Sequence, residues 1–229
     1  MNILCLKNHP EEGPARIADW AQERGVDLEI VEASDIATIS LSGYDALLVM
    51  GGPMSVHDRS EVTSVAAILE VVEKAWKSGM PVLGICLGAQ MLAIAAGGQV
   101  VSGPEKEIGW YPVSVFPKGR ELLGADRGTA MVFHWHGEQI VASEGSDVWA
   151  SAPICPAQAL PFGPRQWGVQ FHLEVDETSL EGMLSAFQAE VAQGGPGVSS
   201  PEEMRRGFME HGESCRQHLY ALLDAWVTG

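Results

Sequence analysis

The sequence is expected to fold as an open, largely parallel α/β sheet with helices on both faces and a helical C-terminal stretch. Three observations predict this. In the first half, short apolar runs alternate with segments of helical period. Those runs are nearly continuous, as in strands buried on both faces. In the second half the runs are short and closely spaced, which favours antiparallel hairpins and makes the sheet a mixed one. The 229 residues suit a single domain over 1–229, with a core over 1–175 and a helical appendage over 176–229.

Residues 1–6 read as a strand. A helix is expected over 14–24, with Pro14 in its first turn, Gly25 past its end, and Ile17, Trp20 and Ala21 as its apolar stripe. Val26, Leu28 and Ile30 mark a second strand. Residues 44–50 form a third, ending at Gly51-Gly52-Pro53. The next helix carries Val62, Val65, Ala66, Leu69, Val72 and Trp76 on one face. A buried strand over 81–85 leads into a helix over 87–96 closed by Gly97-Gly98. Strands are then expected over 110–116, 130–135, 139–142, 148–152, 157–160 and 166–171. Beyond Glu174 the chain reads as helical, interrupted at 194–197. The last helix spans 201–227, with Met204, Phe208, Cys215, Leu219, Leu222, Leu223 and Trp226 at helical spacing.

Composition excludes several functions. Lys plus Arg number 14 and Asp plus Glu 30, a formal net charge of −16. Phosphate-backbone affinity comes from Lys and Arg, so no nucleic-acid partner is expected. An anionic membrane surface is disfavoured for the same reason. No apolar run approaches the ~20 residues of a membrane span, and no signal peptide is visible, so a cytoplasmic location is expected. The four cysteines, Cys5, Cys86, Cys155 and Cys215, form no C-x-x-C pair. They are expected to be thiols, three of them buried packing groups or incidental.

Cys86 stands apart. It lies where a buried strand meets a helix, with Gly84 two residues before it and Gly88 two after. That is the pattern of a nucleophile elbow, in which small flanks let crowded backbones pass and one side chain is presented. The helix N-terminus favours the thiolate. A thiolate nucleophile needs a base, and the base needs an orienting acceptor. His172 ends the last strand candidate and Glu174 follows two residues later, so both point to one side if the chain stays extended. The acid follows the histidine in the chain, which disfavours the α/β-hydrolase order.

Four stretches, M-G-G-P-M at 50–54, G-I-C-L-G-A-Q at 84–90, F-H-W-H-G-E at 133–138 and G-V-Q-F-H-L-E-V at 168–175, together resemble the class I (triad-type) glutamine amidotransferases. The likeness is to the glutaminase domain of GMP synthetase and particularly its stand-alone relatives. It implies a flavodoxin-like amidotransferase fold and hydrolysis of a γ-glutamyl amide, such as glutamine, through a cysteinyl thioester. Cys86 would be nucleophile, His172 base and Glu174 its orienting acid. Backbone N–H groups of Gly52 and Leu87 would form the oxyanion hole. Gln90 would hydrogen-bond the substrate, and main-chain groups around Trp135, His136 and Gly137 would hold its amino-acid end. One departure is Leu173, where the family usually has Pro; it removes no chemical group.

The resemblance implies no cofactor. No pyrophosphatase stretch follows the glutaminase motifs, so an acceptor or synthetase is expected on a partner protein. A stand-alone γ-glutamyl peptidase and a catalytically silent interaction subunit are the alternatives. The loop 53–59 and the segment after Glu174 should border the active-site mouth. His134-x-His136 offers two metal donors, but no third stands at suggestive spacing, so no metal is expected. Gly51-Gly52-Pro53 lacks the Gly-Lys-Ser/Thr of a nucleotide loop.

Overall fold

The computed structural model describes residues 1–60 and 63–228; Val62, expected on an apolar helix face, lies outside the described residues. Nine strands form one sheet: β1 (Asn2–Lys7), β2 (Asp27–Glu32), β3 (Ala46–Val49), β4 (Val82–Ile85), β5 (Gln99–Val115), β6 (Thr129–Val141), β7 (Ala150–Ser151), β8 (Ala159–Gly163) and β9 (Gln166–Val169). Their order is β2-β1-β3-β4-β9-β8-β7-β5-β6. The first five pair in parallel and the other four join antiparallel. This is the mixed sheet expected.

Period-two alternation sorts the inner strands between two apolar layers. Ile3, Cys5, Leu48, Leu83 and Ile85 face α1 (Arg16–Arg24) and α7 (Pro201–Thr228). Leu4, Leu6, Leu47, Val49 and Val82 face α2 (Thr63–Ser78) and α3 (Leu87–Ala95). The long helix α7 is a structural layer of the core: Cys215, Leu219, Leu222, Leu223 and Trp226 are all buried in it. Its end is pinned where Trp226 Nε1 donates to the Arg165 carbonyl at 3.1 Å and Arg165 Nε donates to the Trp226 carbonyl at 2.8 Å. Trp20 Nε1 donates to Asp224 at 2.8 Å, tying α1 to the same helix.

Several boundaries differ from expectation. Helix α1 starts two residues late, because Ala15 takes a positive φ of 41° and Arg16 N–H donates to the Glu174 carbonyl at 3.1 Å. The expected strands at 110–116, 130–135 and 139–142 belong to two long strands, β5 and β6. Their pairing continues across an irregularity between Ser102 and Glu107, so residues 103–106 bulge without ending β5. An unexpected helix α4 (Pro117–Leu123) has Pro at its first position and Gly124 as left-handed cap. The expected strand at 148–152 shrinks to β7. The helical stretch after Glu174 divides into α5 (Glu177–Ala186), α6 (Gln188–Gln193) and α7, with the break at 194–197 where expected.

Because Trp226 is fully buried between α1, α7 and the sheet, Trp226→Ala should destabilise the whole fold by about 3–5 kcal/mol. The denaturant midpoint should drop in one cooperative transition. A helical tail melting separately, with the core unaffected, would show that α7 is dispensable.

Candidate active site

The turn from β4 into α3 is built on two close approaches. A Cβ on Gly84 would overlap the Gly88 backbone, and one on Gly88 would overlap the Val49 carbonyl. Only glycine lets the helix lie this near the sheet. The turn residue between them, Cys86, takes φ 50° and ψ −108°, a conformation that L-residues avoid. Its N–H donates to the Val169 carbonyl at 2.8 Å, locking the turn to β9. The thiol therefore stands at the N-terminus of α3, on the wall of a cavity of about 550 Å³.

His172 and Glu174 come from beyond β9. That strand ends at Val169, earlier than expected, but His172 is held extended by an isolated antiparallel bridge to Phe133, whose carbonyl accepts its N–H at 2.8 Å. Two residues on, Glu174 lies on the same side. Its Oε1 is 2.6 Å from His172 Nδ1, and both side chains are buried. Burial opposes the imidazolium, but the Glu174 carboxylate and the nearby Cys86 sulfur outweigh it. The His172 pKa is therefore held well above its ordinary value. Its Nε2 makes no hydrogen bond. Leu173, between them, points into the core, so the pair forms without a proline.

Gly52, Cys86, Leu87, Gln90, Trp135, His136 and Gly137 all line the cavity, while His172 and Glu174 lie buried behind its wall. The loop before α2 contributes Pro53, Met54, Ser55 and Asp58, and the segment after Glu174 contributes Phe187 and Glu190. The Gln90 amide is engaged, donating to Gln170 Oε1 at 3.2 Å and to the Glu138 carbonyl at 3.3 Å. Gln170 in turn donates to Cys86 Sγ at 3.5 Å. Gln170, two residues before His172, bears no sign of this role in the sequence, and neither do Glu12, Asn8 and Glu190. Asn8 Nδ2 donates to the Met50 carbonyl at 2.6 Å and props the Gly51-Gly52 loop. Glu190 accepts from Trp135 Nε1 at 2.9 Å and from Lys106 at 2.7 Å.

The family-model match covers residues 15–190 with the class I glutamine amidotransferases. The chain belongs to that family. The glutamine amidotransferase-like protein YfeJ of Salmonella typhimurium is 33% identical over 214 residues, covering 90% of each chain. The glutamine-hydrolyzing GMP synthase of Psychrobacter arcticus is 32% identical over 181 residues, which are 76% of this chain but only 32% of that enzyme. This chain thus spans about a third of the GMP synthases it matches. The crystal structure of a Thermotoga maritima glutamine amidotransferase superposes with a TM-score of 0.89, covering 100% of this chain and 99% of that one. At 22% identity that likeness shows the amidotransferase fold alone. Among the described residues no helix is long and apolar enough to cross a membrane.

A buried polar cluster extends inward from His136 on the cavity wall. The structure supplies a third donor that sequence spacing did not reveal. Glu107, His134 and His136 each place one potential ligand atom within 4.8 Å of the others. Glu107 comes from β5, opposite His136 in β6. The set forms a hydrogen-bonded chain. Glu107 Oε2 accepts from Gln158 at 2.8 Å and lies 3.3 Å from His136 Nε2, which is itself 3.3 Å from His134 Nδ1. Burial, then repulsion from His136, holds the His134 pKa well below its ordinary value.

His134 is thus neutral in the folded state, whereas the unfolded chain takes up a proton there below pH ~6.5. The unfolded state binds more protons, so this site costs stability as pH falls. His134→Gln should flatten the loss of unfolding free energy between pH ~6.5 and ~5 in denaturant titrations. Parallel curves for the two proteins would refute a neutral His134.

Proposed function

We propose that this amidotransferase-family chain hydrolyses a γ-glutamyl amide, glutamine first among them, to glutamate and ammonia. The observation that carries the reading is the strained Cys86 turn on the cavity wall, with the hydrogen-bonded His172–Glu174 pair buried behind that wall. In this reading Cys86 Sγ attacks the side-chain amide carbonyl. Backbone N–H groups of Gly52 and Leu87 stabilise the oxyanion; one such donor is typically worth ~10²–10³ in rate. His172 Nε2 passes a proton to the departing nitrogen, leaving a γ-glutamyl thioester. Water, deprotonated by the same imidazole, then releases glutamate. Glu174 orients His172 through Nδ1 and stabilises its charged form. Gln90 helps hold the acyl group, and the backbone around Trp135, His136 and Gly137 holds the amino-acid end.

Ammonia freed into water is lost, so we infer an acceptor or synthetase protein that docks over the cavity mouth. A second reading, a γ-glutamyl peptidase needing no partner, draws support from the cavity's volume of about 550 Å³, which leaves room beyond a glutamine.

Ammonia and glutamate release from glutamine and γ-glutamyl dipeptides tests the proposal. Cys86→Ala should abolish turnover, and His172→Ala should be nearly as damaging. Glu174→Gln should cost about tenfold to a hundredfold less than Cys86→Ala, because a neutral acceptor can still orient the ring. The Cys86→Ala/His172→Ala double variant should be no worse than Cys86→Ala, since the pair acts as one unit. A diazo-ketone analogue of glutamine should label Cys86; peptide mapping that finds label on Cys5, Cys155 or Cys215 instead would sink the assignment. Rapid peptide hydrolysis without glutamine turnover would leave the triad chemistry standing and remove the ammonia-donor role.

A further inference from the structure

Glu12 is a buried carboxylate that the catalytic scheme above does not use. It follows β1 in the segment leading to α1 and lines the cavity alongside Cys86, yet it is only 9% exposed. Among the described residues, no hydrogen bond or ion pair reaches its carboxyl. Its neighbours on the wall are engaged: Ser55 donates to Asp58 at 2.9 Å and to Glu138 at 2.8 Å, and Lys106 pairs with Glu190 at 2.7 Å. A mostly buried carboxyl with no protein partner, opening onto a cavity, is placed to accept a hydrogen bond from what the cavity holds. Burial pushes its pKa up to about 7, with His172 lowering it and Glu174 and Glu190 raising it.

Its position defines what that ligand is. A Cβ on Gly51 would overlap Glu12 Oε2 and lie 3.1 Å from His172 Cε1. The carboxyl and the imidazole edge therefore flank the same side of Gly51. Cε1 is the ring carbon between Nδ1, which is bound to Glu174, and Nε2, which has no partner. A leaving nitrogen must sit beside Nε2 to receive its proton, and so comes within the reach of Glu12.

We propose that Glu12 is the acceptor of a leaving-amine subsite, binding an N–H of ammonia or a primary amine as it departs from the γ-glutamyl group. The inference rests on the hydrolase reading above. In the step it serves, the C–N bond breaks, its electron pair goes to nitrogen, and that nitrogen takes the proton from His172 Nε2. The acyl group stays on Cys86 as the thioester. Glu12 transfers no proton; it accepts a hydrogen bond from an N–H the nitrogen already carries.

An ester that forms the same thioester but leaves as an alcohol has no such N–H. The experiment compares kcat/KM for glutamine and for glutamate γ-methyl ester in wild type, Glu12→Ala and Glu12→Gln. The amide-to-ester ratio should fall about 10- to 100-fold in Glu12→Ala, the range of a hydrogen bond to a charged group. It should recover in part in Glu12→Gln, which keeps a carbonyl acceptor and nearly the same shape. Equal losses on both substrates in Glu12→Gln and Glu12→Ala, or no loss on either, would overturn the leaving-side assignment while the hydrolase reading stands. Failure of the wild type to hydrolyse either substrate would overturn both.

Discussion

The site depends on how closely α3 approaches the sheet. Gly84 and Gly88 remove the two Cβ atoms that would hold the backbones apart, and the chain between them has one residue in which to reverse from strand to helix. That residue is Cys86, forced to positive φ. Larger side chains at either glycine would push α3 outward, and the thiol, Leu87 and Gln90 would move with it. The strain at Cys86 is tolerated because Cys86 belongs to the apolar cluster that holds Leu48 of β3, Leu83 and Ile85 of β4 and Phe171, and its N–H is locked to β9.

The partners of that thiol arrive by a second route. His172 lies past the end of β9 and is held by a single bridge to Phe133 in β6. The same strand carries His134, Trp135 and His136. One stretch of β6 backbone therefore sets the imidazole on one side and the cavity wall on the other. Glu174 closes the arrangement twice: its side chain holds Nδ1 of His172, and its carbonyl accepts the first N–H of α1. The beginning of α1 is thereby tied to the carboxylate, and the segment before it brings Glu12 into the cavity.

A buried imidazole between a carboxylate and a thiol is an uncommon place to keep charge. Desolvation works against the imidazolium, and the Glu174 carboxylate first, then the Cys86 sulfur, outweigh it. His134 has the opposite fate: burial and the neighbouring His136 outweigh a backbone hydrogen bond with Tyr111 that favours its charged form. Two histidines of similar burial are thus driven in opposite directions by what touches them.

Much of this was legible in the chain itself. The apolar runs marked β1, β3 and β4 because parallel strands buried on both faces cannot carry polar residues. The Gly-x-Cys-x-Gly spacing marked the turn because the close approach is a local requirement, and His172 and Glu174 declared each other by their spacing of two. Glu107, Glu12 and Glu190 left no local sign: each meets its histidine, tryptophan or cavity from a distant segment, and charged residues look alike in sequence whether solvated or buried. The continuation of β5 and β6 through the irregular pairing near Ser102 was equally invisible, since only the facing strand tells a bulge from a turn. The sequence by itself determined the strand–turn–helix that presents Cys86 and the candidate partners His172 and Glu174, through short-range spacing and periodicity. Tertiary structure alone decided which carboxylates and histidines surround them, because burial and electrostatic pairing belong to the packed chain and not to any segment of it.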